Sequence, residues 1–288
     1  MPGVSISHFR RVLTLVCSGI LILVLTLFVQ GIWTGLVVAN LKTSPEFPWA
    51  VIVMALLLWG MWQYLNGKGW PQKTSEARHR NLRARRLSGR VFGWAVLSGV
   101  LSIIALAGLW IVLFQLARVP GHNLPNFSQY PRLTVAIMLV MASVVGGVAE
   151  EAGFRGYFQG LLERSTNGAA AILVAALMLA PGHALTQGFV WPILVFYFSV
   201  DVMFGLMAYL TKSIVPGITV HVIGLIAFFS LVWPNDAQRL TGISTGDAWF
   251  WIHAVQTIIF TALAVMAFRR LVRVTQVPAT TTTPSLAT

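Results

Sequence analysis

Two adjacent glutamates, Glu150 and Glu151, close a long apolar run and are followed four residues later by Arg155. The 288-residue chain has only eight acidic residues, so a carboxylate pair in such a place calls for a reason. An ionisable side chain at the centre of a membrane helix costs about 2.5–3.5 kcal/mol on insertion scales, and those that persist are functional candidates. On a helix, Glu151 and Arg155 share a face and can pair, whereas Glu150 is rotated about 100° away. Arg155 would hold Glu151 ionised and fixed. Glu150, less compensated, is the carboxylate suited to take a proton from water as a general base. Spacing alone leaves a second reading open: a structural Glu–Arg pair closing the helix at the interface.

Two histidines, His183 and His221, also fall in apolar runs. A lone histidine on an apolar helix is more often packed and hydrogen-bonded than catalytic. Two of them beside a glutamate pair point towards a site. Asp201 lies in a further apolar run, where Lys212 or a histidine could pair with it. His253, near Trp249 and Trp251, reads as interfacial, and His8, His79 and His122 lie in polar segments without a role. The sequence has no His-Glu-x-x-His helix, Gly-x-Ser-x-Gly elbow or phosphate-binding loop. Gly156 and Gly160, with Gly153, suggest close helix packing.

The elements that must carry these residues are membrane helices. The chain is 57% hydrophobic and 10% charged, with mean hydropathy +0.77. That excludes a disordered chain, a coiled coil and an ordinary soluble enzyme. Eight apolar runs have near-spanning length, at about 12–38, 47–65, 91–117, 134–153, 168–187, 190–210, 214–232 and 249–268. The expected fold is an all-α polytopic transmembrane bundle of about eight helices, with the fifth bent or broken at Pro181-Gly182. The first run is too long for a signal-peptide core and reads as a retained helix. Its Cys17, the single cysteine, reads as a small buried side chain and excludes a disulfide framework.

Charge follows the same plan. The net charge is +12, from 20 Lys+Arg and 8 Asp+Glu. From a cytoplasmic N-terminus, eight spans put Arg10, Arg11, the basic residues of 68–90, Arg155, Arg164, Lys212, Arg269, Arg270 and Arg273 inside. Lys42, Arg118, Arg132 and Arg239 fall outside. This bias obeys the positive-inside rule, so both termini are expected in the cytoplasm and the membrane is read as the plasma (inner) membrane. It explains the basic balance better than nucleic-acid binding, which is not expected. The segment 68–90, basic apart from Glu76, reads as an anchor on anionic headgroups, or alternatively as a dock for an acidic partner. The tryptophans, Trp33 to Trp251, fall mostly near span ends, as interfacial belts do.

The run Glu150-Glu151-Ala152-Gly153-Phe154-Arg155-Gly156-Tyr157 resembles the Glu-Glu-x-x-x-Arg motif of the CPBP family, the CAAX prenyl endopeptidases and bacteriocin-processing (Abi) proteins. Leu179-Ala180-Pro181-Gly182-His183 is similar to the family's Phe-x-x-x-His, with Leu in place of Phe. Gly205 to Tyr209, then Thr211 to Pro216, then His221 follow the order of its third region, but Leu225 stands where the family has Asn. The resemblance covers about residues 134–230. It implies an intramembrane glutamate-type endopeptidase in which Glu150 and His183 activate water, Glu151 and Arg155 support the site, and His221 stabilises the oxyanion. It implies no metal or other cofactor, although two His and a Glu could bind zinc. Leu225 removes half of the expected oxyanion hole.

The organisation expected is an N-terminal region of three helices at 1–133 with a basic cytoplasmic loop at 66–90. A protease-like core at 134–232, a loop with the last helix at 233–274, and a disordered tail at 275–288 complete it. The expected partners are the bilayer and a peptide or membrane-protein substrate. Two rival functions remain: a non-catalytic immunity or scaffold protein, and a small proton-coupled transporter with Glu150, Glu151 and His183 as relay.

Overall fold

The structure is a computed structural model that describes residues 6–117, 127–232 and 245–276. The described residues form helices and no strands, so the all-α reading holds. In chain order these are α1 (Ile6–Thr43), α2 (Trp49–Leu65), the short α3 (Ser75–Leu82), α4 (Gly89–Leu116) and α5 (Arg132–Glu150). Then come α6 (Gly168–Gln187), α7 (Trp191–Thr211), α8 (Val215–Ala227) and α9 (Ala248–Gln276). Apart from α3, they coincide with the eight apolar runs. Among the described residues six helices are long and apolar enough to cross a membrane, while α2 and Val215–Leu231 are apolar but shorter. Residues 275 and 276, expected in the disordered tail at 275–288, instead end α9. The rest of that tail, with Arg118, His122, Trp233, Asp236 and Arg239, lies outside the described residues.

The packing has the polarity of a membrane protein. The most apolar window of α1, within Val12–Thr43, has mean hydropathy 2.8, yet only 11% of it is buried. Phe28, Leu177 and Ile258 are exposed, while Glu150, Glu151, Arg155, Asp201 and His221 are buried. Apolar surface this extensive and contiguous needs a lipid or protein partner. The chain is therefore a multi-pass membrane protein. Cys17, expected to be buried, is instead exposed on this outer surface of α1.

The site depends on how α5 ends. The sequence suggested a span closing near residue 153. Instead the helix continues from Glu150 through a π-helical stretch, Glu151–Phe158, and an α-helical turn, Gln159–Glu163. In the widened stretch the Gln159 N–H donates to the Phe154 carbonyl, five residues back. Helix α6 is also continuous through Pro181, so the expected break is absent. A Pro within a helix removes one hydrogen bond without ending it when neighbours hold the chain. With a rise of 1.5 Å per residue, Glu150 lies roughly 20 Å from the end of its span, and His183 about 22 Å from the start of α6. The two residues meet at one depth because α5 is longer than its apolar run.

Small residues bring the elements together. A Cβ on Gly147 would lie 3.2 Å from Val222 and 3.5 Å from His221, so α5 and α8 approach closely there. The close packing expected of Gly156 and Gly160 is present, but their partner is the basic segment rather than a spanning helix. A Cβ on Gly156 would sit 3.0 Å from the carbonyl oxygens of both Asn81 and Leu82, and one on Gly160 would sit 3.4 Å from Arg83.

That segment is more than a lipid anchor. Arg78 is buried, donates to the Pro71, Lys68 and Gly69 carbonyls, and lies 4.2 Å over the Tyr64 ring. Arg83 has φ of 56° and enters the end of the bundle. There it donates to Glu163 and to the Arg155 and Ala208 carbonyls. Arg164 bonds Asn81, and Lys212 pairs with Glu163, so many of the basic residues gather at one end. We expect Gly156→Val to lower stability by about 1–3 kcal/mol through overpacking, measured as a fall in the thermal midpoint in detergent. An unchanged midpoint would mean that α3 is not fixed beneath the π-helical stretch.

Candidate active site

Glu150 is the last residue of regular α5 and points into the bundle between α1, α6 and α8. Its Oε1 accepts a hydrogen bond of 2.7 Å from Gln30 Nε2 on α1. Its Oε2 lies 3.8 Å from His183 Nε2 and 3.7 Å from His221 Nε2. The less compensated carboxylate expected from the sequence is thus corrected: Glu150 is the meeting point of an amide and two imidazoles. Both rings are held by aromatic neighbours. His183 stacks on Tyr197 at 3.9 Å between centroids, and His221 stacks on Phe204 at 4.6 Å.

Glu151 takes the other direction. Its Oε1 lies 3.1 Å from His221 Nδ1 and 3.7 Å from Arg155 Nε. One imidazole therefore spans the two carboxylates, Nε2 facing Glu150 and Nδ1 facing Glu151. Glu151 Oε2 occupies the space that a side chain at position 217 would fill, which only Gly217 leaves open. Arg155 has a closer partner in Asp201, to whose Oδ1 its Nη2 donates. Asp201 pairs with neither Lys212 nor a histidine, the two options the sequence offered. The guanidinium also lies 5.4 Å over the Phe204 ring, the same ring that backs His221.

The cluster opens on a cavity of about 890 Å³ whose walls include Trp33, Trp110, Phe196, Tyr197 and Phe228. Such a volume suits an extended, mostly apolar ligand. Leu225 lines the same cavity, so it presents an apolar wall one helical turn beyond His221. Among the described residues, no three or more His, Cys, Asp or Glu side chains are arranged to hold a metal ion.

All five residues singled out in sequence as site candidates converge here: Glu150, His183, His221, Glu151 and Arg155. Gln30, Tyr197 and Phe204 were missed. Gln30 carried a weak signal, as the only amide in α1 between Arg11 and Asn40. An aromatic in a membrane helix carries none. His253 lies elsewhere, hydrogen-bonded to Gln256 and stacked on Trp249.

A multi-pass helical bundle with buried carboxylates and imidazoles facing an apolar cavity defines a class, membrane proteins with a polar intramembrane site. Within it, residues 132–227 match the family model described as Type II CAAX prenyl endopeptidase Rce1-like. The matched segment is 96 of the 288 residues and contains every residue of the polar cluster above except Gln30. It coincides with the stretch whose motifs resemble the CPBP family, and supports a CAAX-protease-like membrane enzyme at the level of the family. No curated protein and no solved structure matches the chain.

Removing one partner from a buried ion pair strands the other, at about 3–5 kcal/mol. We expect Asp201→Ala to lower stability by roughly this amount, read as a lower thermal midpoint and lower yield of monodisperse protein. Asp201→Asn, which keeps an acceptor for Arg155, should retain part of it. An Asp201→Ala protein as stable as the wild type would mean that Glu151 alone compensates Arg155.

Proposed function

We propose that this protein is an intramembrane endopeptidase that hydrolyses a peptide bond without a metal, with Glu150 and His183 activating the attacking water. The observation that carries the reading is the placement of Glu150 Oε2 at 3.8 and 3.7 Å from two histidine nitrogens, at the edge of a large apolar cavity. Polar contacts wider than about 3.5 Å suit a bridging water. Such a water would be oriented by His183 and would give its proton to Glu150 as its oxygen attacks the scissile carbonyl. Negative charge then develops on the carbonyl oxygen. His221, as an imidazolium whose Nδ1 donates to Glu151, is suited to donate from Nε2 to that oxygen. When the tetrahedral intermediate collapses, the carbon–nitrogen bond breaks and Glu150 returns its proton to the leaving amine. Arg155 and Asp201 act at a remove, by holding Glu151.

The substrate fits as a peptide or membrane protein with an apolar portion that enters the cavity. The bias of basic residues supports a cytoplasmic placement of the basic end and of both termini, and we infer the plasma (inner) membrane as the location. Leu225 favours a slow enzyme, since one missing oxyanion donor costs about 10²–10³ in rate in a serine protease.

A comparison of peptide ends in host membranes tests this, with wild type against Glu150→Gln at matched protein levels. New ends found only with the wild type are expected, with no loss of folded protein in the variant. Identical ends would overturn the protease reading in favour of a binding role.

A further inference from the structure

Gln30 lies outside the matched segment, on a helix whose most apolar window is only 11% buried. An amide in an apolar helix is costly unless it is hydrogen-bonded. Gln30 meets that need on Glu150 itself, the carboxylate at the centre of the cluster. A carboxylate only accepts, so the amide nitrogen must be the group facing it. Occupying Oε1 fixes the rotation of the carboxylate about its last bond. The free choice between its two oxygens is lost, and Oε2 is the one turned towards His183 and His221. The helix that carries Gln30 is itself seated against the site. A Cβ on Gly153 would lie 3.1 Å from Ile22 and 3.3 Å from Thr26, and Gly182 faces Leu23.

We propose that Gln30 is a positioning residue for the reaction, whose amide holds Glu150 with Oε2 directed at the histidine pair, so that α1 completes a site otherwise built from α5 to α8. This rests on the reading of Glu150 as the general base. Misplacing a reacting group by about 1 Å can cost on the order of 100-fold in rate. A residue that only stabilised the bundle would change the amount of folded enzyme and not its turnover.

The experiment compares wild type, Glu150→Gln and Gln30→Met in the membrane assay of peptide ends, followed over time at matched levels. Methionine has similar length and no donor. Expected is loss of the ends with Glu150→Gln and their appearance about ten- to hundred-fold more slowly with Gln30→Met. With a fluorescence-quenched peptide copied from the mapped cleavage site, kcat should fall while KM and the thermal midpoint stay at wild-type values. Wild-type turnover in Gln30→Met, with Glu150→Gln inactive, overturns this inference and leaves the protease reading standing. Identical ends in all three proteins overturn both. Loss of folded protein in Gln30→Met, and also in Gln30→Leu as second variant, assigns Gln30 a structural role and overturns the inference.

Discussion

The contact on which the site depends is that of Arg155 with Glu151 and Asp201, buried within the bundle. Three carboxylates, one guanidinium and two imidazoles are packed among apolar helices. Each charge alone would be prohibitively desolvated there. With both imidazoles neutral, Glu150, Glu151 and Asp201 would outweigh Arg155 by two negative charges. Carboxylates and imidazoles gathered this closely can pass a proton between them, which is what the proposed hydrolysis needs.

Local structure makes the arrangement feasible. The π-helical stretch begins at Glu151, directly after Glu150, and such widened turns recur at functional sites. It sends the two neighbouring carboxylates to different partners, and one imidazole of α8 still spans both. Gly147 admits α8 to that distance, and Gly217 leaves room for Glu151. Some polar atoms in the cluster, Glu151 Oε2 and Asp201 Oδ2, have no hydrogen-bond partner among the described residues. Buried atoms of that kind raise the cost of the site, which the ion pairs and the ring stacking on Phe204 and Tyr197 offset.

Much of this was legible in the sequence, and the reasons differ by residue. Apolar length alone located the helices, because lipid demands it. Charge in an apolar run exposed Glu150, Glu151 and Arg155, and motif order tied them to His183 and His221. The continuation of the helix beyond α5 was hidden because Glu150, Glu151, Arg155, Gln159 and Glu163 interrupt its apolar pattern, and tertiary packing, which sequence does not show, buries Gln159 and Leu162. Asp201 was visible but had no identifiable partner, since it pairs across 46 positions of sequence. Gln30 lies 120 positions from Glu150, and no local pattern relates them. The basic segment misled for a similar reason: sequence counts its charges, but only packing shows that Arg78 and Arg83 are turned into the protein.

Helix α1 brings the bilayer into the geometry. Its apolar stretch, Val12–Thr43, is about 48 Å long at 1.5 Å per residue, against a hydrocarbon layer of roughly 30 Å. Such a helix must tilt, protrude or thicken the lipid around it. Its inclination is then set partly by membrane thickness and partly by the close seams at Gly153 and Gly182. The polar cluster is thus mechanically linked to a property that differs between membranes, and detergent micelles or thin bilayers present it with a different lateral environment from the native one.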